Sequence, residues 1–229
     1  MRLPRGAVVI IVHHLNNSRS QRILWLLEEL GLEYEVVKHV RDPVTHLAPP
    51  DLLTVHPLGK LPVIRDGDLV LAESGAIIAY VLERYGNGRL EPAAGTPERV
   101  RYLYWLHYTE GTAMPMLLLH VIFGQLEAAK VPFFIRPVTR GIAGRLKQML
   151  VEPHLGRNFD LMEAELGKSE WFAGNEITAA DVHLSFALEA AVARSGLDRR
   201  WPRLMGWLDR IHARPAYLRA IERGGPYQL

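Results

Sequence analysis

The hydrophobic and polar positions change period from block to block along the chain. A continuous β-branched run, "AVVIIV" from Ala7 to Val12, fits a strand buried on both faces. It breaks into the polar stretch "HHLNNSRSQR". Behind it Ile23, Leu24, Leu26, Leu27 and Leu30 recur at helical spacing, with Ser18 placed to cap the helix and Gly31 to end it. "EYEVVKHV" alternates and reads as a second strand, so strand, helix and strand predict a parallel βαβ unit. "APPDLLTVHPLG" reads as a short helix or turn. "KLPVIRDGDLVLAES" supplies two short apolar runs around Asp66-Gly67, a strong hairpin signal. "ESGAIIAYVLERYG" then returns to a helical stripe of Ile77, Ile78, Val81 and Leu82. Residues 1–86 therefore read β-α-β-α-β-β-α.

A Gly-, Pro- and Ala-rich linker follows, 87–96, and everything after it is helical in pattern. "PERVRYLYWLHYTEGTAMPMLLLHVIFGQ" is one long stretch, with Pro97 in a first turn and Pro115 placed to bend it. "IAGRLKQMLVEPHLGRNFDLMEAELG" is a second, and three shorter stretches complete 97–229. Thr178 and Asp181 have the spacing of a capping box, a structural device with no chemistry attached. The predicted architecture is thus an α/β domain, 1–86, a linker, 87–96, and an all-α helical bundle, 97–229.

Composition changes this picture mainly by exclusion. Of 229 residues 48% are hydrophobic and 23% charged, which suits a soluble globular protein. Net charge is +2 with both signs interspersed, so a nucleic-acid partner is not expected. The chain has no cysteine, which removes disulfides, CxxC redox pairs, thiolate zinc sites and a cysteine nucleophile. The N-terminal apolar run is too short for a signal peptide and no segment has membrane-span length, so a cytoplasmic protein without membrane contact is the expectation. Ten histidines show no HExxH or comparable pairing, and adjacent His13 and His14 point to opposite faces of a strand, so no metal is expected. No GxGxxG or P-loop pattern implies a nucleotide.

The order of elements is thioredoxin-like followed by helices, and four local motifs carry a resemblance to the cytosolic glutathione S-transferases. They are "NNSRSQR" between the first strand and helix, "HPLGKLPVI" (56–64), "LAESGAIIAYV" with Glu73 and Ser74 opening the third helix, and "ITAADVHLS" (177–185). The wording is similar to that of bacterial and fungal, yeast-type members that lack cysteine. The likeness covers nearly the whole chain.

The resemblance implies a thiol-importing site with glutathione as co-substrate and no prosthetic group. Pro62 matches the family's cis proline, a bond that lets Leu61 offer its backbone N–H and C=O to the cysteinyl unit as a miniature antiparallel strand. Ser74, at a helix N-terminus with its unpaired N–H groups and dipole, would hold the γ-glutamyl carboxylate, with Glu73 helping at the same end. Lys60, and more weakly His46, would meet the glycyl carboxylate. Tyr108 would form a wall for the electrophile. Glu110 would reach the glutathione amino group across a dimer interface, as an acid of this helix does in some relatives. A homodimer is implied by the fold, and the apolar faces of the third and fourth helices look too large for one chain.

A free thiol has a pKa of about 8.5. Lowering it by roughly two pH units needs about 2.7 kcal/mol of preference for thiolate, which a helix N-terminus and one or two hydrogen-bond donors can supply. Members of the family that the chain resembles use tyrosine, serine, cysteine or asparagine as that donor. "VHHLNNSRSQR" has no tyrosine or cysteine, so the resemblance points first to Ser18 and then to Asn17, with Asn16 and Ser20 less favoured by spacing. The leading reading is attack of glutathione thiolate on a small hydrophobic electrophile. A glutathione-dependent disulfide reductase or peroxidase, and a non-catalytic ligand-binding protein, are the alternatives.

Overall fold

A computed structural model describes residues 9–42, 45 and 47–226. Its contacts divide the chain into two units: residues up to Thr96 together with those from Arg210, and Pro97–Asp209 between them.

The first unit is built on a four-stranded sheet of order β2-β1-β3-β4. Strands β1 (Ile10–Leu15) and β2 (Tyr34–His39) are parallel, in the register Val12 opposite Val36. Helix α1 (Ser20–Leu30) joins them and ends at Gly31, whose φ of 66° is the left-handed cap expected of a glycine. Strand β1 extends into the polar stretch, so His13 and His14 belong to it on opposite faces; His14 is buried and His13 half-buried. The start of α1 differs from expectation. Arg19 takes the N-cap position without a side-chain cap. Ser18 instead accepts the backbone N–H of Ser20 two residues on, the local bond a serine makes before a turn closes. After the short helix α2 (Leu52–Val55), β3 (Val63–Asp66) and β4 (Leu69–Ala72) form the antiparallel hairpin around Gly67. Helix α3 (Ser74–Val81) continues through a wide π turn, Leu82–Gly86.

All five apolar positions of the α1 stripe are buried, and so are Ser20, Gln21, Arg22 and Trp25 on its other sides. The reason is α10 (Pro215–Gly224), which packs along α1. Trp25 meets Tyr217 edge-on at 5.3 Å, and Gln21 Nε2 donates to the Ala220 carbonyl at 2.7 Å. Arg214 pairs with Glu29 at 2.6 Å and Arg219 with Glu28 at 2.7 Å. The two helices close so tightly that a Cβ on Gly224 would collide with the Gln21 amide and Leu24.

The second unit contains α4 (Pro97–Tyr108), α5 (Met114–Glu127), α6 (Arg136–Leu146), α7 (Glu152–Glu165), α8 (Ala179–Arg194) and most of α9 (Pro202–His212), whose last three residues are assigned to the first. Both long stretches are interrupted by one π turn, Thr109–Ala113 and Lys147–Val151, each just before Pro115 or Pro153. A proline removes one ladder hydrogen bond and crowds the carbonyl four residues back, and widening the preceding turn relieves both. The core is aromatic: Trp105, Phe172 and Trp207 are buried, with ring centroids 4.7 Å and 5.4 Å apart along that series. The Thr178–Asp181 box forms, Asp181 accepting both the backbone N–H and the hydroxyl of Thr178 at 2.9 Å. Among the described residues no helix is long and apolar enough to cross a membrane.

Candidate functional site

A cleft of about 110 Å³ in the first unit is lined by Arg19, Leu58, Lys60, Leu61, Pro62, Ala72, Glu73 and Ser74. Five of the residues singled out from sequence therefore meet in one place, although they come from a loop, a strand start and a helix start. The Leu61–Pro62 peptide is cis. It brings the loop carrying Lys60 and Leu61 beside the connection between β4 and α3. That connection is Glu73 alone, and the chain turns from strand to helix at this one residue. Glu73 has φ 71° and ψ 120°. Such a backbone costs a non-glycine residue about 1–3 kcal/mol, which the surrounding packing must hold in place.

Ser74 is the first helical residue of α3, and Glu73 occupies the N-cap without a side-chain cap. The Ser74 hydroxyl is buried and accepts a hydrogen bond from Arg22 Nη2 at 3.2 Å. A hydroxyl that accepts there keeps its own proton to give elsewhere. Arg22 is wholly buried, and its Nε reaches the Arg19 carbonyl at 3.4 Å. A guanidinium therefore sits behind the N-terminus of α3, adding its positive charge to that of the helix end.

Ser18 is buried, one residue before the cleft-lining Arg19. Its hydroxyl lies 2.7 Å from that of Ser20, which lies 2.9 Å from His14 Nδ1. Asn17 is half-buried in the left-handed conformation, φ 52°, a region asparagine tolerates better than most residues. Arg41 braces the turn, its backbone N–H donating to Asn16 Oδ1 at 3.2 Å and its Nε to the Asn16 carbonyl at 3.3 Å. Neither Ser18 nor Asn17 lines the cleft. His46 lies outside the described residues.

Tyr108 and Glu110 belong to the second unit. Tyr108 is buried against Trp105 and stacked on Tyr104, with centroids 4.9 Å and 5.8 Å away. Burial pushes its phenol well above the ordinary range. Its hydroxyl has no hydrogen-bond partner among the described residues, which costs roughly 1–3 kcal/mol unless something satisfies it. Glu110 lies 3.9 Å from His183 of its own chain. Among the described residues no group of three potential metal ligands gathers.

Sequence models of the glutathione S-transferase N-terminal and C-terminal domains match residues 7–83 and 127–215. Glutathione S-transferase 3 of Schizosaccharomyces pombe is 32% identical over 216 residues, covering 94% of this chain and 88% of that protein. The chain belongs to the glutathione S-transferase family. The crystal structure of a glutathione S-transferase from Actinobacillus pleuropneumoniae is 34% identical and superposes with a TM-score of 0.77, covering 96% of this chain and 94% of that one. A glutathione transferase from Phanerochaete chrysosporium, solved with oxidized glutathione, shares the fold at 22% identity with a TM-score of 0.73, covering 96% of each chain.

Within this glutathione S-transferase fold, two arginines were not anticipated as site residues. Arg19 lines the cleft and Arg22 holds Ser74 from behind. The signal for Arg19 was a cation at the N-terminus of α1, where a helix end disfavours positive charge. Arg22 offered none, since with Ser20 and Gln21 it reads as the polar side of the first turn of α1.

Proposed function

We propose that the protein is a glutathione transferase that presents the glutathione thiol as thiolate to small hydrophobic electrophiles. The observation that carries this reading is the charge inventory of the cleft. Glutathione has two carboxylates, one ammonium and a thiol. The cleft offers two cations, Arg19 and Lys60, one carboxylate, Glu73, and the N-terminus of α3 at Ser74. Cations and helix end suit the two carboxylates, and Glu73 suits the ammonium. The cis Leu61–Pro62 segment supplies backbone groups for the cysteinyl unit between them. In this reading Ser18 gives the hydrogen bond that stabilises the sulfur anion, with Asn17 the alternative donor one residue earlier. Glu110 is suited to the amino end of glutathione bound by a second subunit.

The test is Ser18→Ala. Turnover with chlorodinitrobenzene is expected to fall at least tenfold, about 1.4 kcal/mol of thiolate stabilisation, while the KM for glutathione stays within about twofold. An unchanged rate in Ser18→Ala, with the loss in Asn17→Ala, moves the role to Asn17. Hydroxyethyl disulfide and cumene hydroperoxide, assayed beside it, separate transfer from reduction.

The active form we infer is a homodimer. Val100, Leu103 and Tyr104 are exposed at 69%, 41% and 51% and stand at helical spacing on one face of α4. Such a stripe suits burial by another surface. Sedimentation at micromolar concentration is expected to show a species of twice the 25.9 kDa chain mass, and a monomer there would refute the inference.

A further inference from the structure

Beneath the proposed sulfur donor lies a buried polar chain with no part in the cleft itself. It runs from Ser18 Oγ to Ser20 Oγ at 2.7 Å and on to His14 Nδ1 at 2.9 Å. All three residues are at most 6% exposed. Two further bonds fill the acceptor positions. Leu15 N–H donates to Ser20 Oγ at 3.1 Å, and Ser20 N–H donates to Ser18 Oγ at 3.2 Å. The imidazole also makes a hydrogen bond with the backbone of Gly224, at the end of α10.

Each hydroxyl has one proton, so the directions of these bonds are coupled. Ser20 has three neighbours that can take its proton: Ser18 Oγ, His14 Nδ1 and, at 3.3 Å, the Leu15 carbonyl. With Nδ1 bare, Ser20 gives its proton to the ring, Ser18 gives its own to Ser20, and the Ser18 proton is turned inward. With the proton on Nδ1, the ring donates to Ser20, and Ser20 donates to Ser18 Oγ at 2.7 Å, the nearer of its two remaining acceptors. Ser18 Oγ then accepts from both the N–H and the hydroxyl of Ser20, and its own proton is directed out of the chain. Accepting two bonds also polarises that hydroxyl and makes it the better donor.

We propose that His14 and Ser20 are positioning residues for the transfer reaction, the tautomer of His14 setting, through Ser20, whether the Ser18 hydroxyl faces the glutathione sulfur. This rests on the reading of Ser18 as the donor. Burial above all, with Lys38 and His39 adding to it, holds the imidazolium pKa down at about 4, so at neutral pH the ring is uncharged and has a single N–H. The Gly224 carbonyl competes with Ser20 for that proton. The closing helix of the chain thereby bears on the first turn of α1.

The readout is the thiol pKa of bound glutathione, followed by thiolate absorbance against pH in the full-length protein, with the KM for glutathione measured alongside. Ser20→Ala and His14→Leu are expected to shift that pKa by about half to one pH unit with KM within about twofold, upward if the resting chain holds the Ser18 proton outward and downward if it holds it inward. His14→Asn puts an amide, which can donate or accept, near the place of Nδ1 and is expected to restore the wild-type value. If Ser18→Ala raises the thiol pKa while Ser20→Ala and His14→Leu leave it unchanged, the chain only supports the fold and the proposal fails alone. If Ser18→Ala itself changes nothing, the donor reading fails and the relay with it. Thermal melts of each variant separate these results from misfolding, and Ser20→Ala, the smallest change, is the decisive variant if a His14 variant does not fold.

Discussion

Arg22→Leu is expected to weaken glutathione binding about thirtyfold, roughly 2 kcal/mol, as measured by calorimetry. The guanidinium is wholly buried and donates to Ser74 Oγ at 3.2 Å, directly behind the first turn of α3. In our reading a glutathione carboxylate sits in front of that turn. A positive charge near the surface of the site attracts it with a few kcal/mol at an effective dielectric of about 20, of which part is lost to desolvation. Leucine also removes the donor that fixes the rotation of the Ser74 hydroxyl. It leaves the Arg19 carbonyl and the Ser74 hydroxyl without this donor, which costs stability, so affinity is measured well below the melting transition. Arg22→Lys keeps the charge but not the fork that reaches both Ser74 and the Arg19 carbonyl, so an intermediate affinity is expected. An affinity within threefold of wild type in Arg22→Leu, with normal melting, would show that the guanidinium serves α1–α3 packing alone.

Asp181→Ala is expected to remove about 3–5 kcal/mol of stability and lower the melting midpoint by about 10 °C or more, while leaving the cleft chemistry intact in protein assayed well below the transition. The side chain of Asp181 is wholly buried and acts as the hub of the second unit. One oxygen accepts the Phe172 N–H at 3.1 Å and the Trp207 indole N–H at 3.2 Å. The other accepts the Thr178 N–H and hydroxyl at 2.9 Å each. Burial pushes its carboxyl upward and these four donors pull the other way. Truncation leaves them unpaired in the aromatic core, where each lost bond to a charged acceptor costs about 1.5–3 kcal/mol before relaxation. Asp181→Asn is no rescue. Whichever way the amide is turned, its NH2 faces at least one backbone N–H, of Phe172 or of Thr178. Differential scanning calorimetry of the two variants checks this, and a midpoint within 3 °C of wild type in either would sink it.

The parts that neighbouring residues encode are legible in the sequence. The alternation in β2, the stripe of α1, the left-handed glycine after it, the Asp66-Gly67 hairpin and the Thr178–Asp181 box each satisfy their own backbone within a few residues. The irregularity before Pro115 belongs to the same class, because the missing N–H and the ring clash act within one turn, and the π turn before Pro153, not anticipated, has the same local cause. Polar residues are harder. Ser20, Gln21 and Arg22 look like the outer face of an amphipathic helix, and only the return of α10 buries them. The same limit applies to Ser18, which has the spacing of a cap and lies instead in a buried chain with Ser20 and His14.

By itself, then, the sequence determined the order and type of the elements, the family, and a short set of polar residues from which the site would be drawn. Periodicity, turn chemistry and capping are short-range, and a contiguous stretch of chain contains all the partners they need. The tertiary structure alone decided which of those residues meet, and in what state. Arg22 and Ser74 are 52 positions apart, and Gln21 and Ala220 are 199 apart. Nothing local distinguishes such a pair from two solvated side chains. The field behind α3 and the direction of the Ser18 proton depend on groups brought together only when the sheet, α1 and α10 close on one another.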